Sequence, residues 1–293
     1  MSRKAKYLQK IDACNQFELS RFVDFSIDDV IYGRLLPAFV GLLQRWPDVF
    51  DVSTEGVCLH SSLTGYRQRT EAVAEVVAHL AEEGVITGWR DENYPVAIDA
   101  AQPPVFEIER AAAPHFGFRA WGVHVNGLVR VGKQVKVWVG QRAADKPTFP
   151  GMLDHLAAGG QPAGISRMDN VIKECGEEAG VPPALARQAK FVRELHYCCE
   201  TRTGLKPDTI GIYDLYLPEG FVPQNTDGEV AAFFLWSFDE VADAVANSER
   251  FKPNCNLVLI DLLLRHGKSG LDRAAEVAVV SRLYAPLALT RLR

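Results

Sequence analysis

No run of about 20 apolar residues, the length of a membrane-spanning helix, occurs in this 293-residue chain. The longest strongly apolar stretch, Leu257 to Leu264, is interrupted by Asp261. No apolar segment comes after the basic start, Met1 to Cys14, so no secretory signal is expected. Cys-x-x-Cys pairs are also missing. The six cysteines, at 14, 58, 175, 198, 199 and 255, are scattered, and Cys198 and Cys199 are adjacent, a poor geometry for bridging each other. A reduced, cytoplasmic chain with no disulfide or zinc framework is the simpler expectation. Positive charge is not in excess. Lys and Arg number 32 against 37 Asp and Glu, a net charge of −5. That balance gives no whole-chain attraction to nucleic acid or to an anionic membrane, so neither is an expected partner.

Several catalytic signatures fail as well. Gly159 and Gly164 have the spacing of half a phosphate-binding P-loop, but Ile165-Ser166 stands where that loop needs Lys followed by Ser or Thr. There is no G-x-S-x-G elbow and no G-x-G-x-x-G fingerprint after a strand. His196 with Cys198 and Cys199 lacks the second half of a zinc spacing.

Hydrophobic residues make up 47% and charged residues 24%, the composition of a globular chain. At roughly 150 residues per domain, the length predicts two domains. Residues 1–115 read as a smaller mixed α/β domain. Ser26 followed by Asp28 and Asp29 predicts a helix start, and Pro37 splits the next segment into two short helices. Thr70 is placed to cap another helix, with Val73, Val76, Val77 and Leu80 as its apolar stripe and Gly84 as its stop. Gln102, Pro103 and Pro104, in the stretch from Asp99 to Pro104, mark the edge of a linker.

Residues 116–293 form the second domain. Trp121, Val123 and Val125, then Val135, Val137 and Val139, alternate as strands do, with Gly127 and Gly132 near the turn between them. A loop rich in Pro and Gly runs from Ala143 to Gly164. A helix is predicted from about Arg167 to Ala179, with Ser166 and Asp169 at its start and Gly180 just past its end. Strands are predicted at Ile212–Leu217 and Glu229–Trp236, and helices at about Asp239–Asn247 and Leu257–His266. The order of elements predicts an α+β chain, an α/β/α sandwich preceded by the smaller domain.

Chemistry concentrates on the helix after the glycines. Glu174, Glu177 and Glu178 stand at i, i+3 and i+4 and so share one side. They crowd the helix C-terminus, where the dipole disfavours carboxylates by up to ~1 kcal/mol each. Lys173 is the only adjacent base. A solvated acidic face is the ordinary explanation of such a cluster. Gly159, Gly160 and Gly164 just before it shift the balance, because they permit close backbone approach and the helix start offers N–H groups to anions. Oxygen ligands select a hard cation, so Mg²⁺ or Mn²⁺ with a diphosphate is the coherent pairing.

The same residues resemble the Nudix box, G-x5-E-x7-R-E-U-x-E-E-x-G-U, where U is apolar. Gly159 takes the first position, Glu174 the core glutamate, Glu177 and Glu178 the acid pair, and Gly180-Val181 the ending. Ile165 replaces the family's first Glu and Lys173 its Arg, which keeps a charge but loses the bidentate fork. Trp121 to Gly127, Lys146 to Asp154, Asp227 to Val230, Pro104 to Arg110 and Phe116 to Phe118 further resemble one subfamily. Its members are related to the Nudix half of fungal thiamine pyrophosphokinase fusions, and they carry an extra N-terminal domain. The resemblance implies the Nudix α/β/α sandwich and metal-assisted hydrolysis of a small-molecule diphosphate, thiamine-diphosphate-like or nucleoside-diphosphate-linked. It implies metal held by Glu174, Glu177 and Glu178, with one of these or Glu229 taking the proton from water. The alternative is a non-catalytic Nudix-fold module that senses or binds a ligand.

Arg142 and Lys146 precede the glycines and are candidates for the substrate's phosphates, beside Gly159 and Gly160. His124 and Asn126 lie opposite in parity to the strand's apolar residues, as half-buried polar residues do. Trp121, Trp138 and Phe149 are core aromatics by default and stacking platforms otherwise. Cys175, at an apolar position of the box, is expected to be packed. Three roles are open to the N-terminal domain: completing the pocket, capping it, or mediating a homodimer.

Overall fold

The computed structural model describes residues 1–287. The chain begins with α1 (Arg3–Ala13), followed by β1 (Val23–Ile27), β2 (Val30–Leu35), α2 (Pro37–Leu43), β3 (Phe50–Val52), β4 (Val57–Leu59) and α3 (Tyr66–Glu82). A hairpin of β5 (Asn93–Val96) and β6 (Phe106–Glu109) and the short α4 (Ala113–Phe116) lead into the second half. There β7 (Ala120–Val131), β8 (Gln134–Arg142), β9 (Leu153–Asp154) and β10 (Ala157–Gly160) precede α5 (Arg167–Ala179) and α6 (Pro183–Ala186). The long strands β11 (Lys190–Glu200) and β12 (Leu205–Leu217), then β13 (Val230–Ser237), are followed by α7 (Phe238–Asn247), α8 (Pro253–Arg265) and α9 (Arg273–Leu283).

The N-terminal unit is a four-stranded sheet, β2-β1-β4-β3, with α3 and the β5–β6 hairpin around one aromatic core. Phe25 makes edge-on contacts with Phe50, Phe116 and Phe118, and all four rings are buried. The α3 stripe of Val73, Val76, Val77 and Leu80 is buried in this core, which supplies the helix with the tertiary packing that propensity alone does not.

Several expectations fail here for identifiable reasons. Asp28 and Asp29 do not start a helix. They form the two-residue turn of the β1–β2 hairpin, both at positive φ (49° and 64°), a conformation that Asp tolerates and that hairpin twist favours. Pro37 does not divide two helices but opens α2 directly after a strand, where its missing N–H costs nothing. Thr70 lies one turn inside α3. Its hydroxyl donates to the Tyr66 carbonyl and accepts the Glu107 N–H, tying the helix to the hairpin. The segment from Asp99 to Pro104 is the loop of that hairpin rather than a linker, closed by Val105 N–H on the Val96 carbonyl.

The second unit is a mixed sheet in the order β11-β12-β7-β8-β13, with β10 pairing β7 and β9 pairing β8. β7 and β12 run parallel, and the other pairs are antiparallel. Strand parity sorts its side chains between two cores. Val123, Val125 and Val129 face α5, while Leu128, Val137 and Val139 face α8. Helices therefore cover both faces of the sheet, the α/β/α sandwich expected from the sequence. The first helix lies with this unit: Tyr7 and Ile11 are buried in the same core as α7, α8 and α9. Among the described residues, no helix is long and apolar enough to cross a membrane.

Candidate active site

Helix α5 spans Arg167–Ala179, as expected. The Ser166 hydroxyl accepts the Asp169 N–H at its start, and Gly180 at φ 61° closes its end. Its amphipathic register puts Val171 and Cys175 into the core beside the sheet, and Cys175 is fully buried. That register carries Glu174 and Glu178 inward too, each only 8% exposed. Glu177 stays half-exposed on the flank, where the Lys173 ammonium lies 2.9 Å from one oxygen and 3.2 Å from Glu174. The acid cluster is thus two buried carboxylates and one outer carboxylate, and not a solvated face.

Of the three glycines before the helix only Gly164, at φ 80°, lies in a turn. Gly159 and Gly160 belong to β10, paired with Val123 and Gly122 of β7. Their value lies in the absent side chains. A Cβ on Gly159 would overlap the Glu174 carboxylate, and one on Gly160 would overlap the Tyr94 hydroxyl. The neighbouring Ala158 N–H donates to Glu178 Oε2 at 2.8 Å. Glu174 and Glu178 are therefore pressed against one backbone edge.

Burial pushes both carboxyls above their usual range. Glu178 is raised furthest, with the charges of Asp154 and Glu174 adding to burial and the Ala158 N–H only partly offsetting them. Glu174 is raised less because Lys173 opposes its burial. Among the described residues, no donor reaches Glu174 Oε2 or Glu178 Oε1. Two buried, mutually repelling carboxylates, each with an unengaged oxygen, form an all-oxygen donor set that fits a hard divalent cation.

The remaining candidates surround this pair. Glu229 precedes β13 and is ion-paired with Lys146. Burial would raise its carboxyl, but Lys146, Arg142 and Arg110 bring it below the usual range. Arg142 donates to the carbonyls of Phe149 and Thr148 at 3.2 and 3.0 Å and to Asp154 at 3.2 Å, so it braces the loop that carries Lys146. Trp121 and Trp138 are buried, whereas Phe149 is exposed at the tip of that loop. His124 and Asn126 point to the α8 side of the sheet. Asn126 donates to Asp214, itself held by Arg265.

His124, Asp154, His155 and Cys255 offer ligand-type atoms all within 4.8 Å of one another, a grouping that sequence spacing does not reveal. Asp154 already accepts Cys255 Sγ and the His155 N–H on one oxygen, and Arg142 and Lys252 on the other. The Lys252 ammonium holds its carboxyl far below the usual range despite burial, and both imidazoles are kept neutral chiefly by burial. Asp154 is the satisfied centre of this ion network under the sheet, whereas His124 Nδ1 and His155 Nε2 are buried with no hydrogen-bond partner among the described residues. The Asp154 carboxylate is neutralised by two cations, unlike the open pair on α5.

Sequence reasoning assigned no site role to the residues that the N-terminal unit brings there, although Arg110 ends one of the segments that carry the subfamily resemblance. Tyr94 of β5 lies against Gly160, and the Ala163 N–H donates to the Asn93 carbonyl at 2.8 Å. Arg110, just past β6, sits over the Tyr94 ring at 5.4 Å and pairs with Glu92 at 2.8 Å. They lie about 50 to 80 residues before the box in sequence, and no local pattern joins them to it.

Residues 6–120 match a family model described as a domain of unknown function, DUF4743. Nudix hydrolase 20 (chloroplastic) of Arabidopsis thaliana is 42% identical over 272 residues, covering 89% of this chain and 73% of the relative. The chain belongs to the Nudix hydrolase family. Nudix hydrolase 24 (chloroplastic) of the same plant is 43% identical over 265 residues, with the same 89% and 73% coverage. Among solved structures, a C. elegans Ap4A hydrolase is similar over 50% of this chain and 98% of its own, with 13% identity and a TM-score of 0.38. In this Nudix hydrolase the box is thus a strand, a cap and a helix whose two inner glutamates share one backbone edge.

Proposed function

We propose that this Nudix hydrolase cleaves a small organic diphosphate with Mg²⁺ or Mn²⁺ held by Glu174 and Glu178, joined by Glu177. The observation that carries this reading is the buried Glu174–Glu178 pair with unengaged oxygens beside the β10 backbone. The cation would neutralise the diphosphate and activate water. Gly159 and Gly160 let Glu174 and Tyr94 close against the strand beside the substrate, and Lys146 meets its phosphates from the loop that Arg142 braces. Glu229, kept ionised by Lys146, is poised to take the proton from the attacking water, with a box glutamate as the other candidate.

The chain divides functionally at about residue 115, into an accessory unit and a hydrolase unit that includes α1. The subfamily resemblance puts thiamine diphosphate and its altered forms first in the substrate panel, with nucleoside-diphosphate-linked compounds next. The free cysteines suit a reducing compartment, the cytoplasm in the simplest case.

The test is a panel of diphosphates assayed for Mg²⁺-dependent product release, with product analysis to show which P–O bond breaks. Absence of turnover across the panel, or a Glu178→Gln variant as active as the parent, would overturn the reading. The Lys173 ammonium lying between Glu174 and Glu177 favours a second, sensing role. Tight ligand binding without consumption would identify it.

A further inference from the structure

Around the proposed site, most cations have partners that use their charge. Lys146 pairs with Glu229, Arg142 and Lys252 with Asp154, and Lys173 with Glu174 and Glu177. Arg110 differs. It comes from the N-terminal unit, its side chain is 43% exposed, and among the described residues only Nη1 of its side-chain donors meets a protein group, Glu92.

The hairpin fixes where that guanidinium stands. Tyr94 is 8% exposed, its hydroxyl lies against Gly160, and its ring carries the Arg110 guanidinium 5.4 Å from its centroid. Gly160 adjoins Gly159, against which the Glu174 carboxylate rests. Gly159 and Gly160 are consecutive in β10, so Glu174 and Tyr94 flank this short strand from its two faces, and Tyr94 brings Arg110 to the strand that carries the carboxylate pair. The Asn93 carbonyl, holding the Ala163 N–H at 2.8 Å, ties the hairpin to the segment that leads into α5. A planar guanidinium with two open donors is suited to bidentate capture of a phosphate, and stacking on an aromatic ring preorganises it.

We propose that Arg110, mounted on Tyr94, is a phosphate-binding residue supplied to the hydrolase site by the N-terminal unit, so that this unit completes the substrate pocket. Burial opposes the charge of Arg110, and Tyr94 and Glu92 chiefly restore it, with Glu174 adding a smaller part; Arg110 in turn adds to the larger effects of Lys146 and Arg142 on the Glu229 carboxyl. Glu92 holds the guanidinium in place until an anionic ligand shares it. This inference rests on the diphosphate reading of the site.

The experiment uses the full chain with Mg²⁺ and inorganic pyrophosphate as the probe, by calorimetry, alongside KM and kcat for whichever diphosphate the panel yields. Arg110→Ala is expected to weaken pyrophosphate binding and raise KM by roughly tenfold or more, with Arg110→Lys recovering part of the loss. Glu92→Gln separates ligand binding from scaffolding. If Arg110 binds phosphate, removing its competing carboxylate leaves affinity equal or tighter. If Arg110 only holds the hairpin through Glu92, the two variants lose affinity alike. Parent-like affinity and KM in Arg110→Ala, or matching losses in Arg110→Ala and Glu92→Gln, overturn the proposal while the diphosphate reading stands. A parent protein that neither binds pyrophosphate nor turns over any diphosphate overturns both.

Discussion

The carboxylate of Glu174 lies over Gly159 so closely that no side chain fits between them. Gly159→Ala is therefore expected to push Glu174 off the strand while α5, capped at both ends, persists. Mn²⁺ affinity, followed by titration, should fall by about ten- to a hundredfold, the scale on which displaced supporting groups weaken a metal site. Unchanged affinity would show that Glu174 does not need its position against β10.

Glu178→Gln separates stability from activity. The carboxylate is buried, repelled by Asp154 and Glu174, and raised well above its usual range. Without metal, the neutral amide removes that repulsion, so the melting temperature should hold or rise. Stabilisation by added Mg²⁺ should vanish, and turnover should fall at least about 100-fold, since a ligand should matter no less than an outer-shell partner. A large loss of metal-free stability would refute the electrostatic account.

Helix α1 belongs energetically to the distant C-terminal helices. Ile11 is 1% exposed in their shared core. Ile11→Ala should cost about 2–4 kcal/mol in denaturant unfolding. Trimming residues 1–14 should destabilise the hydrolase unit more than the β2-β1-β4-β3 sheet, which hydrogen exchange can resolve.

Acid should weaken the fold through the network below the sheet. Burial holds His155 down at about 4 against a usual 6.5. The unfolded chain takes up this proton first, so stability is retained above about pH 6.5 and lost as pH falls toward 4. His155 alone contributes a loss of about 2 kcal/mol by pH 5, and His124, lowered the same way, adds to it. His155→Gln should flatten the melting temperature between pH 7 and pH 5. An unaltered pH slope would contradict the buried neutral imidazole.

How far the chain could be read in advance depends on the range of the interactions involved. Helix α5 was legible to the residue, because Ser166, Asp169 and Gly180 act within one turn of its ends. The Val-rich alternation of β7 and β8 and the stripe of α3 were legible for the same reason, being periodic along a single segment. The acid cluster pointed to a cation only together with the glycines before it, since by itself it reads as a solvated helix face. The two-Asp turn was misread, since acids at a helix start and acids at positive φ look alike until a partner strand is present.

Folding decided what spacing cannot carry. Strand pairing turned a presumed glycine loop into β10, and packing sorted Glu174 and Glu178 inward and Glu177 outward. The return of α1 to the C-terminal core, the ion network at Asp154 and the arrival of Tyr94 and Arg110 beside the box all join residues far apart in the chain. Local propensities act over a few residues, whereas these contacts exist only once burial of two separate cores has brought distant strands together.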